Sequence, residues 1–150
     1  METKNEVVLN GMDVLSLAAE RAIRYTNGVR QRKVAPDQRE IRALEKFRET
    51  FPEGPSDAKS VVAMLDELGS PATIASAGGR YFGFVIGGAV PAALGANWLA
   101  GAWDQDAALR VMSPIAAELE EVVLQWVSEA LGLPGNCEGG LVTCANNCLK

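Results

Sequence analysis

Apolar residues recur at helical spacing along most of this chain. Val14, Leu15, Leu17, Ala18, Ala22 and Ile23 predict a helix from about Asp13 to Asn27, and Asn27-Gly28 supplies its stop. Ile41, Leu44 and Phe47 mark a short amphipathic helix that ends before Pro52, and FPEGPSD reads as a turn. Asp57 or Ser56 caps the next helix, which places Val61, Val62, Leu65 and Leu68 on an inner face. The clearest local signal is SPIAAELEEVVLQWVSEALGLPG. Ser113 is a natural N-cap, Pro114 suits the first helical position, and Glu118, Glu120 and Glu121 lie toward the positive end of the helix dipole. Ile115, Leu119, Val122, Val123, Trp126, Val127 and Leu131 form one wide apolar face, closed by Gly132 and Pro134, so this helix is expected to be long and well buried.

One stretch departs from that alternation. From Tyr81 to Trp103 the chain runs YFGFVIGGAVPAALGANWLAGAW, 23 residues without a charge, and by length it invites comparison with a membrane span. Gly83, Gly87, Gly88 and Pro91 interrupt it and Asn97 sits in its second half, so no continuous spanning helix is expected. The reading is a short extended segment over 81–86, a glycine turn, and a buried helix from about Pro91 to Ala102. A small membrane protein spanning at 81–103 stands as an alternative.

Charge and composition narrow the classes. A hydrophobic share of 48% with 22% charged residues is ordinary for a globular chain of 150 residues. The net charge of −5 leaves no basic stripe to neutralise phosphates, which argues against nucleic acid as partner. Arg21, Arg24, Arg30, Arg32 and Lys33 form the one basic cluster and read as a solvated helix face with the loop after it. Cys137, Cys144 and Cys148 all fall in the last 14 residues. Their odd number suggests free thiols in a reducing, cytoplasmic setting, and the absence of histidine argues against zinc. The opening METKNEVVLN is too acidic and too weakly apolar for a secretory or organelle signal.

The wording of three segments goes further than periodicity. GGRYFGFVIGGAVPAALGANWLAGAWDQD, SPIAAELEEVVLQWV and LGLPGNCEGGLVT stand in an order that resembles the N-terminal part of the group II pyridoxal-phosphate-dependent amino-acid decarboxylases, which include the aromatic-amino-acid, glutamate and diaminobutyrate decarboxylases. The resemblance covers at least residues 78–143. It implies a mainly α chain that forms the N-terminal part of the α/β aspartate-aminotransferase-type fold (fold type I). On that reading, residues 1–76 are a helical dimerisation segment and 77–150 the truncated start of the cofactor-binding large domain. The implied cofactor is pyridoxal 5'-phosphate, the substrate a small amino acid and the assembly a homodimer, with neither nucleic acid nor membrane as partner.

The resemblance also assigns site residues. Tyr81 and Phe82 match an aromatic pair that walls the substrate pocket, and two aromatics packed beneath the next helix are the competing reading. Thr143, Ala145, Asn146 and Asn147 match the turn that holds the cofactor phosphate through backbone N–H groups and small side chains. There the likeness fades: Cys144 replaces a glycine, and Asn146 and Asn147 stand where small or hydroxylated residues are usual. Insertion of one adenosine into codons for a family-like Ala-Thr-Ile-Ala-Leu would read out Ala-Asn-Asn-Cys-Leu, the residues at 145–149.

The family's Schiff-base lysine, pyridine-binding carboxylate and ring-stacking histidine match nothing here. Lys4, Lys33, Lys46, Lys59 and Lys150 lack a motif that would bury and activate them. Asp104 and Asp106 read as a helix cap or loop contact rather than as a carboxylate pair. The expectation is an N-terminal fragment of a decarboxylase, inactive alone and poorly soluble in isolation, with a non-catalytic helical interaction module as the alternative.

Overall fold

The computed structural model describes residues 4–106 and 109–141. The described residues are mainly helical and contain no strand. The chain separates into two compact units, Met1–Ala89 and Val90–Lys150.

The first unit is built on a long helix, α1 (Lys4–Gly28), which begins nine residues before the apolar periodicity becomes legible. Asp37 starts α2 (Gln38–Ala43) with a reciprocal capping box: its carboxylate accepts from the Arg39 and Glu40 amides, and the Glu40 carboxylate accepts from the Asp37 amide at 2.6 Å. A 3₁₀ turn, Leu44–Phe47, follows. Asp57 caps α3 (Ala58–Met64), accepting from the Ser60 amide at 2.8 Å. The helix then widens into a π-helical turn, Leu65–Gly69, and tightens into a 3₁₀ turn, Ser70–Ala72. α1 packs on α3, and α2 packs on Ser70–Ala72.

The predicted inner face of this helix is only partly covered. Val62 and Leu68 are half-buried, whereas Val61 and Leu65 are exposed. Val61 precedes the π turn and Leu65 is its first residue, so their exposure reflects the lack of a covering surface on that side of the helix rather than a change of register.

Residues 81–86 also differ from the expected extended segment. The Ile86 amide donates to the Gly83 carbonyl at 3.3 Å, and Phe84 and Val85 adopt left-handed backbone angles, φ 56° and 54°. No strand among the described residues lies beside them to satisfy an extended backbone, and the tight turn satisfies one N–H by itself.

The second unit contains α4 (Pro91–Trp103) and α5 (Pro114–Ala130). Pro91 sits in the first turn of α4, and Asp104 ends that helix in the left-handed conformation, its amide bonded to the Ala100 carbonyl at 3.1 Å. Ser113 is fully buried and caps α5 by accepting from the Ala116 amide. At the other end Gly132, at φ 66°, completes a Schellman closure: its amide reaches the Glu129 carbonyl at 3.1 Å, and the Leu133 amide reaches that of Ser128 at 2.9 Å.

α5 is therefore finished at both ends, but the expectation that it is well buried does not hold. Leu119 is 52% exposed and Trp126 65%, and Ile115, Val127 and Leu131 are exposed as well. Among the described residues only Ala75 and Ser113 are buried. Periodicity identifies a face that prefers to leave water; it does not supply the surface that covers it.

Candidate functional site

The densest arrangement of charge lies where the last turns of α1 meet the π turn. Arg21 and Arg24 lie three residues apart and so share one face of α1. Both donate to the same Asp66 oxygen, at 2.7 and 2.5 Å, and Arg21 also reaches Glu67 at 3.3 Å. The other Asp66 oxygen accepts from the Ser70 hydroxyl at 2.6 Å. Burial, the largest influence on the Asp66 carboxyl, raises its pKa. The hydrogen bonds from Ser70 and Arg21 and the charges of Arg24 and Arg21 together outweigh it, so Asp66 is held below its ordinary value.

Further along, the Arg32 guanidinium stacks over the Tyr25 ring, 4.5 Å from its centroid, and donates to the Ser70 carbonyl. Tyr25 and Thr73 share a hydrogen bond of 2.8 Å. Arg24, Tyr25, Gly28, Arg32, Asp66, Glu67, Ser70 and Pro71 line a cleft of about 320 Å³. Three members of the basic cluster, Arg21, Arg24 and Arg32, are thus clamps between elements more than 35 residues apart in sequence. Reading it as a solvated face missed this, because the partner Asp66 becomes a neighbour only through the packing of α1 on α3 and its π turn.

The two aromatics that the sequence offers as a pocket wall differ in exposure. Tyr81 is half-buried and folds over Gly83, where a β-carbon would come within 2.9 Å of its hydroxyl. Phe82 is 92% exposed. Thr143, Ala145, Asn146 and Asn147 lie outside the described residues. The approach to them, Glu138–Leu141, is irregular rather than a strand, and the Leu141 amide donates to the Glu120 carboxylate at 3.1 Å.

Neither Lys33 nor Lys59 fits a Schiff base with pyridoxal phosphate. Lys33 pairs with Asp37 at 2.7 Å and Lys59 with Asp13 at 2.8 Å, and these hydrogen bonds hold both ammonium groups above their ordinary pKa. A Schiff-base lysine needs the opposite shift, toward the neutral amine. Lys46 is exposed. Among the described residues no cluster of three or more Cys, Asp or Glu side chains is arranged to hold a metal ion. No described helix is long and apolar enough to cross a membrane. α4, the helix within the uncharged stretch, has 13 residues and a length of about 20 Å against a hydrocarbon core of about 30 Å.

No family model, no curated protein and no solved structure matches the chain.

Proposed function

We propose that this chain is the N-terminal, dimer-forming part of a pyridoxal-phosphate-dependent amino-acid decarboxylase and performs no decarboxylation by itself. The proposal rests on the ordered likeness of residues 78–143 to that family, and one structural observation carries it: α5 is capped at both ends, yet most of its apolar face is exposed, Val122 and Val123 being half-buried. A helix so completed by local interactions lacks only a second surface, and covering each large side chain there is worth about 2 kcal/mol. On this reading the chain is the start of a fold-type-I enzyme in the cytoplasm. The substrate is an amino acid, and the lysine and histidine chemistry belongs to other parts of the enzyme. The exposed apolar residues of α1 and α5 favour a second reading, a non-catalytic helical interaction module.

Light scattering on the purified chain, alone and co-expressed with an intact group II decarboxylase subunit, tests both readings. Stable hetero-oligomers that the double substitution Leu15→Glu, Ile23→Glu on the exposed apolar side of α1 abolishes support the decarboxylase reading. Self-association alone, equally sensitive to that substitution, favours the module. A monomer in both arms overturns both readings.

A further inference from the structure

We propose that the cleft between the end of α1 and the π turn is a binding site for a small oxyanion, a phosphate or a carboxylate group, held between Arg24 and Arg32. This does not depend on the decarboxylase reading. In a chain of net charge −5, three guanidinium groups gather at this one place against two carboxylates, Asp66 and Glu67, and Arg21 engages both of those. Arg24 and Arg32, the two guanidinium groups that line the cleft, each spend one hydrogen bond on the protein, Arg24 on Asp66 and Arg32 on the Ser70 carbonyl. A guanidinium has five N–H donors and accepts none, so the cleft is rich in donors.

Orientation separates these two arginines from ordinary surface cations. Stacking on Tyr25 and the bond to Ser70 fix the plane of Arg32, and the bond to Asp66 anchors Arg24. Paired planar forks whose rotamers are already set lose little freedom when an anion arrives, and they match oxyanion geometry. Two of the carbonyls that end α1 are turned to internal use, Thr26 to the Val29 amide and Gly28 to those of Gln31 and Arg32. Asp66 has both oxygens engaged. The cleft, about 320 Å³, has room for the anion with its bridging water.

The test is a titration of the full chain with inorganic phosphate and, separately, acetate, followed by amide NMR shifts at Gly28 and Ser70, with sodium chloride at matched ionic strength as control. Saturable shifts are expected with at least one of the two anions, and the tighter one assigns the ligand class. Arg32→Gln and Arg24→Gln should each weaken binding about tenfold, while Arg39→Gln, on the exposed surface of α2, should leave it unchanged. Arg24→Gln guards against misfolding, because Arg21 still holds Asp66 in that variant. Shifts that chloride reproduces, or an equal loss in Arg39→Gln, would overturn the proposal.

Discussion

Asp66 shows how much one side chain determines in a protein with so little interior. It joins two arginines of α1 to the turn that follows α3, and Ser70 completes its coordination. Its carboxyl is held below the ordinary value, so its contribution to stability is present in full above the unfolded-state pKa and is lost as pH falls through the folded-state value. The loss therefore falls below about pH 4. Asp37 and Asp57 are shifted the same way, Asp37 chiefly by its bond from Lys33 and Asp57 chiefly by its bond from Ser60, and they add to the acid sensitivity. Circular dichroism between pH 7 and 2 should show helix loss over that window. Asp66→Asn should start with less helix at pH 7 and lose less on acidification. An acid transition as large in the variant as in the parent would count against the clamp. At this scale the caps were legible in the sequence: Asp57, Ser113 and Gly132 act through bonds to residues two to four positions away. The arginine clamps were not, because no local rule joins Arg21 to Asp66 across 45 residues.

At the scale of elements, the helices follow their signals closely. α4 begins at Pro91 and α5 at Pro114, as proline in the first turn implies. The misses have identifiable physical origins. Val61 and Leu65 of the inner face read for α3 stay uncovered because periodicity does not supply a covering surface, and the segment over 81–86 turns back because no strand among the described residues lies beside it. That turn carries strain, since Val85 is branched at Cβ, fully exposed and left-handed. Asparagine tolerates those backbone angles, and no packing is lost by removing Val85. Val85→Asn should therefore stabilise the turn by about 1 kcal/mol. Proline, with φ fixed near −65°, should open it. Hydrogen exchange at the Ile86 amide, which closes the turn, reads both effects: slower in Val85→Asn and faster in Val85→Pro. Unchanged exchange in both variants would show that the turn is not what protects that amide.

Across the whole molecule the apolar faces were legible and their coverage was not, since covering depends on surfaces that the faces themselves do not encode. Of the candidate site, only Tyr81 and Phe82 lie among the described residues, the first half-buried and the second exposed; the arginine cleft emerges from packing alone. The scarcity of buried residues also has a calorimetric consequence. Unfolding raises heat capacity in proportion to the apolar surface newly wetted, and for a well-packed chain of 150 residues the increment is about 2 kcal/mol per kelvin. Here most large apolar side chains already meet water before any heating, so the monomer's increment should fall well below that figure and its melt should be broad. Addition of the correct partner should restore a sharp endotherm with a larger step in baseline, and scanning calorimetry then becomes an assay for whatever surface α5 is made to meet.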